Sequence, residues 1–304
     1  MNSGKFKVVG LGELLWDLLP TGKQLGGAPA NFAYITSMLG DEGIPASRLG
    51  EDDLGTAAIC RLTELGLSTG FVQKGAIHPT GTVKVEIDTA GQPHFEICES
   101  VAWDFLEWTA EWRELASQAD AVCFGSLAQR SIQSYSTIRN FLESTRPSAI
   151  RVFDVNLRQN FFTPDVLAES MKLATIVKLN HEELPRIMEV FEFEHQDEES
   201  SARRLAEFYG LKLVCITRGN GGSLLSTADH CIAHAGFRVK VADTIGAGDA
   251  FTAALVHEYL RGAPLEGMSE VANRVGAWVA SQVGATPRLK PGGLKDVIAE
   301  METK

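Results

Sequence analysis

Residues 241–251, VADTIGAGDAF, join a β-branched lead-in to an apolar run that has the character of a helix, so Asp249 falls in its first turn. The three residues before it would expose their backbone N–H groups at the positive end of that helix: Gly246, Ala247 and Gly248. Helix N-termini bind anions, because their first amides lack intrahelical partners and the helix dipole favours negative charge. A carboxylate beside such an anion hole can take a proton from a nucleophile while the amides stabilise the developing charge. Equally, Asp249 can be a first-turn carboxylate that only stabilises the dipole.

A second glycine-to-helix junction lies at 26–31, GGAPAN. Pro29 suits the first helical position, where its missing N–H costs nothing, and Asn31 then lies in the first turn. Gly26 and Gly27 would let a ligand approach the backbone closely. The same residues also suit a tight turn before an ordinary helix, and the local pattern leaves both interpretations open.

The first predicted strand ends in glycines that imitate a dinucleotide-binding fingerprint. Residues 6–12 read FKVVGLG, but Leu15 stands where the G-x-G-x-x-G pattern needs its third glycine. No helix follows directly, since 13–19 alternate loosely and stop at Pro20, which indicates another strand. The sequence therefore argues against a nicotinamide-dependent reductase.

From about residue 112 onward, predicted helices and strands alternate along the chain. Apolar strands are predicted at 121–125, 151–154, 176–180 and 213–217. They are too apolar to face water, so a parallel sheet between two layers of helices is expected, with ligands beyond the carboxyl ends of its strands. Three polar clusters fall at those ends: 154–158 (DVNLR), Asn180 with Glu183, and 217–219 (TRG).

Each cluster also has a purely structural interpretation. Asn180 and Glu183 have the spacing of a capping box, in which each side chain bonds the backbone N–H of the other residue. Asn220-Gly221 is a strong hairpin signal, so the glycines that follow Thr217 can simply turn the chain. Residues 154–158 can form a loop with an internal ion pair.

A β-hairpin is predicted outside this alternation. Residues 80–88 alternate between apolar and charged side chains, and Ala90-Gly91 would turn the chain back into 94–98. With the strand at 13–19, this hairpin would form a small sheet beside the main core. A hairpin at the edge of the main sheet fits the same pattern.

Composition limits the class of protein. The 304 residues are 44% hydrophobic and 22% charged, which suits a globular enzyme of one large domain with a small excursion. No apolar run reaches about 18 residues and no signal-peptide pattern is present, so a cytoplasmic location without a membrane partner is expected. The five cysteines have no C-x-x-C spacing and indicate reduced thiols. The net charge of −11 argues against a nucleic-acid partner.

Together, the two glycine-rich junctions and the upstream Asp17 resemble the ribokinase-like, or phosphofructokinase B-type, carbohydrate kinases. The stretch 243–249 (DTIGAGD) is highly specific for that family, and 26–31 moderately so. Local similarity is greatest to fructokinases, at 12–13, 17–20, 102–104 and 153–158. The resemblance covers essentially the whole chain. It implies a single α/β domain, 1–304, built as a three-layer αβα sandwich with a mostly parallel central sheet and a small β-sheet lid from about 13–25 and 80–100.

The resemblance also implies an activity: ATP-dependent phosphorylation of a primary hydroxyl of a small monosaccharide, fructose first, with Mg²⁺. Asp249 would be the general base, beside an anion hole made by Gly246, Ala247 and Gly248. The sugar would be held by Asp17, Gly26, Gly27, Asn31 and Arg158. The nucleotide would be lined by Asn180, Thr217, Gly219 and Asn273. Glu183 would order water around Mg²⁺, and Asp243 with the Ile245 carbonyl would hold a monovalent cation such as K⁺.

Several alternatives stay open within this resemblance. The acceptor can instead be 2-keto-3-deoxygluconate, ribose or a nucleoside, although a nucleoside needs a more aromatic pocket than His94, Phe95 and Glu96 offer. A sugar-binding regulator that lost catalysis is the alternative from another class, and the intact Asp249 argues against it. The chain lacks a G-x-x-x-x-G-K-[ST] loop, as the family does, but Arg218 stands where a smaller or apolar residue is expected. A monomer or a homodimer formed through the lid is expected.

Overall fold

The computed structural model describes residues 4–19, 22–87, 93–194 and 196–288, with the backbone alone for 85–87 and 93–95. The strands within these residues are β1 Lys7–Leu11, β2 Leu15–Leu19, β3 Gly22–Gly26, β4 Glu42–Gly50, β5 Val72–Gly75, β6 Gly81–Ile87, β7 Pro93–Ile97, β8 Ala121–Gly125, β9 Ile150–Asp154, β10 Ile176–Asn180, β11 Leu213–Thr217, β12 Ser223–Ser226 and β13 Cys231–His234. The α-helices are α1 Ala28–Met38, α2 Asp53–Glu64, α3 Ala110–Gln118, α4 Ile132–Glu143, α5 Pro164–Leu173, α6 Glu183–Val190, α7 Glu198–Tyr209, α8 Ala247–Leu260 and α9 Leu265–Ala280.

These strands form two sheets. In the described part of the chain, the central sheet has nine strands in the order β13-β12-β11-β10-β9-β8-β1-β4-β5, and the pairs from β11 to β5 are parallel. The small sheet has the order β3-β2-β6-β7. The hairpin therefore pairs with β2 in a second sheet and does not extend the edge of the main one. Its predicted turn, Ala90-Gly91, lies outside the described residues.

Helices cover both faces of the central sheet. One apolar cluster packs α1, α2, α8 and α9 against one face, and another packs α3 to α7 against the opposite face. The strands alternate between these clusters, as their two-residue period requires. In β10, Val177 and Leu179 face the second cluster, while Ile176 faces the first. The predicted three-layer αβα sandwich with a small second sheet is confirmed.

The order of the strands places the crevice in which such sheets bind ligands. β4 lies on one side of β1 and β8 on the other, and β8 to β11 then continue outward. The winding therefore reverses between β1 and β8, and ligands bind at the carboxyl ends of strands beside such a reversal. α1 packs closely on α8 over this part of the sheet. Among the described helices, none is long and apolar enough to cross a bilayer.

Candidate active site

Asp249 lies in the first turn of α8 and faces the first turn of α1. Its Oδ2 accepts a hydrogen bond of 2.9 Å from Nδ2 of Asn31. Burial, together with the charge of Asp154, raises the pKa of the Asp249 carboxyl to about 6, and the hydrogen bond from Asn31 opposes both effects. Two positive charges nearby also lower this pKa, those of Lys178 and Arg158. The two glycine-rich junctions therefore meet at one carboxylate that ionises just below neutral pH.

The predicted anion hole begins at Gly246, which caps α8 in a left-handed conformation with φ of 77°. A Cβ at this position would overlap Ala285, so the loop needs glycine both for its conformation and for space. Asp243 fixes the loop, because its Oδ1 accepts the Ile245 N–H at 3.0 Å and its Oδ2 accepts the Gly284 N–H at 3.1 Å. The structure thus brings Asp243 and Ile245 together; their role in cation binding stays a prediction.

The predicted acceptor residues gather on the other side of Asp249. Asp17 lies on β2, and a Cβ on Gly26 would come within 2.5 Å of its Oδ2, so glycine leaves room for the carboxylate. Burial raises the pKa of Asp17 to about 6, and the Arg158 charge lowers it. Gly27 caps α1 with φ of 107°, and a side chain there would meet the Glu13 carbonyl oxygen at 2.5 Å. Arg158 itself is exposed on the loop after β9.

Among the residues predicted to bind the nucleotide and Mg²⁺, Asn180 and Glu183 form the capping box that their spacing allows. Asn180 Oδ1 accepts the Glu183 N–H at 2.8 Å, and Glu183 Oε2 accepts the Asn180 N–H at 2.8 Å. Glu183 Oε1 also accepts the Leu157 N–H at 2.8 Å, which ties the loop after β9 to α6. Burial raises the pKa of Glu183, and the Lys178 charge lowers it. The structural interpretation of this pair is confirmed, while its role near Mg²⁺ stays a prediction.

Thr217 ends β11 directly opposite Asn180 on β10. Gly219 has φ of 56° and opens a short 3₁₀ turn, Gly219–Gly221, that leads into the antiparallel strand β12. The hairpin interpretation of Asn220-Gly221 is therefore right. The guanidinium of Arg218 turns away to α7, where Nε donates to Glu198 Oε2 at 2.6 Å, which explains how a large cation is accommodated there.

Asn273 contributes to packing in the described structure. It is 7% exposed on α9, and its Nδ2 donates to Ser223 Oγ and to the Ser269 carbonyl oxygen, each at 2.8 Å. The bond to Ser223 holds α9 against β12, and the bond to Ser269 lies within α9. The nucleotide contact expected for Asn273 stays a prediction.

A buried ion pair beneath α8, between Asp154 and Lys178, was not predicted from the sequence. Asp154 does not pair within its own loop, as the alternative for 154–158 assumed; its carboxylate binds Nζ of Lys178, on the neighbouring strand, at 3.0 and 3.1 Å. Thr252 Oγ1 donates to the same carboxylate at 3.1 Å. A Cβ on Gly248 would lie 3.1 Å from Nζ of Lys178, so this ammonium group lies directly beneath the predicted anion hole. The available signal was a lysine inside an apolar strand.

Asn31→Ala is expected to move the acid side of the activity profile to higher pH. The substitution removes the hydrogen bond that favours ionised Asp249, so the pKa of this carboxyl rises further above its usual value. The required carboxylate is then lost at a higher pH as the solution is acidified. The measurement is kcat against pH between 5 and 8, and a midpoint that stays in place would contradict this assignment.

Comparison with known proteins shows which family this sequence matches. The sequence model of the pfkB family carbohydrate kinases matches residues 19–291. An uncharacterized sugar kinase of Pyrococcus horikoshii, PH1459, is 32% identical over 92% of this chain and 93% of its own, and its structure in complex with ATP superposes with a TM-score of 0.78 over 92% and 94% of the two chains. An Escherichia coli fructokinase is 29% identical over 93% of this chain and 96% of its own. A Vibrio cholerae fructokinase, 23% identical, shares the fold with a TM-score of 0.81 over 98% and 99% of the chains.

Proposed function

Because this chain belongs to the pfkB family of carbohydrate kinases, we propose that it transfers the γ-phosphoryl group of ATP to a primary hydroxyl of a neutral monosaccharide, fructose. The observation that carries the mechanism is the hydrogen bond between Asn31 and Asp249, which joins the acceptor side of the site to the anion hole. The ATP complex of the Pyrococcus relative supports ATP as the donor.

Asp249 acts as the general base. It accepts the proton of the attacking hydroxyl, and the N–H groups of Gly246, Ala247 and Gly248 stabilise the equatorial oxygens of the transferred group. A loose phosphoryl-transfer transition state leaves little covalent chemistry to the protein, so catalysis is mainly positioning and electrostatics. A pKa of about 6 keeps Asp249 ionised at neutral pH while leaving it basic enough to take a proton.

Mg²⁺ fits this site as an ion bound mainly through phosphates and water. No group of three or more His, Cys, Asp or Glu side chains in the described ranges forms a metal cage. Mg²⁺ keeps several waters and needs one or two carboxylates with substrate phosphates, which suits Glu183 with a lone pair left on each oxygen. When bound, the ion neutralises phosphate charge. Asp243 and the Ile245 carbonyl would hold a monovalent cation, which would stiffen the loop before α8.

The charges around the acceptor favour a neutral sugar over an acid or a sugar phosphate. Three carboxyl groups surround this side of the site, those of Glu13, Asp17 and Asp249, and Arg158 is the cation whose charge reaches all three. An anionic acceptor would meet net repulsion here. Carboxylates accept hydrogen bonds from hydroxyls, as Asp17 does from two adjacent hydroxyls of a furanose. The similarity to the E. coli fructokinase favours fructose among the neutral sugars.

The small sheet serves as a lid within a single kinase domain. β2, which carries Asp17, begins a few residues after β1 of the central sheet, so movement of the small sheet brings Asp17 toward or away from Asp249. Closure over the sugar excludes water and suppresses hydrolysis of ATP.

Asp17→Asn is expected to raise the KM for the acceptor strongly while changing the KM for ATP little. The amide cannot accept the same two hydroxyl bonds, and a hydrogen bond to a charged group contributes about 1.5–3 kcal/mol, so the KM for the acceptor rises roughly tenfold to a hundredfold. Steady-state kinetics with each substrate varied in turn measures both constants. Equal changes in the two KM values would show that Asp17 does not bind the acceptor.

An acceptor panel tests the proposed substrate. ADP release is coupled to a dehydrogenase reaction with fructose, ribose, 2-keto-3-deoxygluconate, adenosine and fructose 6-phosphate as acceptors. The highest kcat/KM is expected with fructose, and the two anionic acceptors are expected to be poor. A higher kcat/KM with either anionic acceptor would overturn the assignment of a neutral sugar.

A further inference from the structure

Glu13 lies where the chain crosses from the central sheet to the small sheet, just after β1. Its side chain is buried, with 4% exposed, and its Oε2 has no hydrogen-bond partner among the described residues. Leaving a buried carboxyl oxygen unpaired destabilises the fold. The burial of this unpaired carboxyl oxygen therefore indicates a functional role for Glu13.

Glu13 lines the same cavity as Asp249. Besides Glu13, the cavity is lined by residues at the ends of β8 and β9 and in the first two turns of α1 and α8. The titratable groups that share this wall with Glu13 are Cys123, Asp154 and Asp249. Two cations act on the same groups from its border, Arg158 and Lys178. The cavity thus connects the base of the proposed reaction to a second buried carboxyl.

We propose that Glu13 is a further acid–base group of this site, which accepts across the cavity the proton that phosphoryl transfer leaves on Asp249. In the first step, the acceptor O–H bond breaks and its proton goes to the Asp249 carboxylate; the new O–P bond forms while the bond between the γ-phosphorus and the β–γ bridging oxygen breaks, and ADP leaves with that electron pair. In the second step, the proton passes from the Asp249 carboxyl to the Glu13 carboxylate, and no other bond changes. Glu13 releases the proton to solvent when the product leaves. This inference rests on the proposed kinase function.

The electrostatics of the pair favour this direction of transfer. Burial, together with the charge of Asp249, raises the pKa of Glu13 to about 7, against the opposing effects of the backbone N–H groups of Glu13 and Ala28 and the charge of Arg158. The pKa of Asp249 is raised to about 6, so the proton is held more strongly by Glu13. Because the two carboxyls interact, both ionisations belong to the pair.

The test is the pH dependence of kcat in Glu13→Gln and Glu13→Asp. In the wild type, protonation of Glu13 blocks the relay and protonation of Asp249 removes the base, so kcat is expected to fall in two steps on the acid side, a partial step of roughly tenfold and then a complete one. Glu13→Gln is expected to lack the partial step: its kcat at pH 7.5 is already roughly tenfold lower, since Asp249 can still release its proton to solvent, and only the step that reports Asp249 remains. Glu13→Asp keeps both steps. Thermal unfolding midpoints report whether each variant is folded.

Other outcomes overturn the proposal. Two acid-side steps in Glu13→Gln, or a single step in the wild type, would show that Glu13 does not titrate with the reaction. A higher KM for the acceptor at unchanged kcat and with an unchanged pH profile would show that Glu13 binds the sugar instead.

A measurement that does not depend on turnover distinguishes the proposed role of Glu13 from the proposed kinase function. Carbon-13 NMR of labelled glutamate carboxyls, with the Glu13 signal assigned from its loss in Glu13→Gln, is recorded against pH in the wild type and in Asp249→Asn. The Glu13 midpoint is expected to fall in Asp249→Asn, because the neighbouring negative charge is gone. An unchanged midpoint overturns the role of Glu13, even in an active kinase. A shifted midpoint in a protein that phosphorylates no acceptor contradicts the proposed function instead.

Discussion

Asp249→Asn is expected to lower kcat by roughly two to four orders of magnitude, the usual effect of losing a positioned general base. Asparagine keeps the size of the side chain and its contact with Asn31, but it cannot take the proton of the attacking hydroxyl. The KM values for both substrates should change little, since Asp249 acts on the transferred proton. The measurement is steady-state kcat at pH 7.5 with saturating ATP and fructose.

Stability separates this loss from unfolding. A carboxyl whose pKa is raised in the folded state destabilises the fold above that pKa, because its charged form is buried at a cost, and this cost disappears as the pH falls below the unfolded value. At pH 7.5 the neutral asparagine is therefore expected to raise the midpoint of thermal unfolding.

Asp165→Asn is the matched control for Asp249→Asn. Asp165 also lies in the first turn of a helix, α5, but it is exposed and far from the anion hole. If Asp249 only stabilised the dipole of α8, both variants would lose about 0.3–1 kcal/mol of stability and little activity. Similar kcat values for the two variants would therefore contradict the catalytic role of Asp249.

Lys178→Met is expected to cause the largest loss of stability, about 3–5 kcal/mol, because it leaves the Asp154 carboxylate buried without its partner. The ion pair is almost fully enclosed, with 9% of the Lys178 side chain and 6% of the Asp154 side chain exposed. The loss of the ammonium also raises the pKa of Asp249, so the activity that survives is expected to fall off at a higher pH. Urea unfolding midpoints and the pH profile of kcat measure the two effects.

Two further variants show whether burial causes this effect. Lys172 forms a solvent-exposed ion pair, in which its Nζ lies 2.8 Å from Oε1 of Glu169. Lys172→Met is expected to lower the free energy of unfolding by less than about 1 kcal/mol. The double variant Lys178→Met with Asp154→Asn removes both buried charges and is expected to recover most of the lost stability. A double variant as unstable as Lys178→Met alone would show that the pair is not the cause.

The central strands could be predicted closely from the sequence, because apolar runs of five residues between helices carry a clear signal. The predicted strands at 121–125, 176–180 and 213–217 coincide with β8, β10 and β11. The last two strands of the sheet order, β12 and β13, were missed, since their short runs alternate weakly and come after an Asn-Gly turn. Pairing of the hairpin with β2 instead of the main sheet depends on long-range register, which a local pattern leaves undetermined.

Residues of the candidate site could be predicted where glycines precede the N-terminus of a helix. They were harder to predict where their role depends on burial in the folded protein. Asp249, Gly246 and Asn31 were found because glycine is needed for a positive φ or a close approach. Glu13 and Lys178 were missed as site residues, because a charged residue beside or within an apolar strand gives no indication of its partner in a distant segment. The capping box of Asn180 and Glu183 was foreseen as one of two interpretations, because its geometry is local.

The fate of the γ-phosphoryl group tests most directly whether this protein is a fructose kinase with Asp249 as its base. The wild type is incubated with γ-labelled ATP and Mg²⁺, with and without fructose, and the labelled products are separated. If the chain is a fructose kinase, the label appears on the oxygen of a primary hydroxyl of fructose, at a rate that depends on the concentration of fructose. This transfer is lost in Asp249→Asn and kept in Asp165→Asn. Label that appears only as inorganic phosphate, or transfer to fructose that persists in Asp249→Asn, would contradict this assignment.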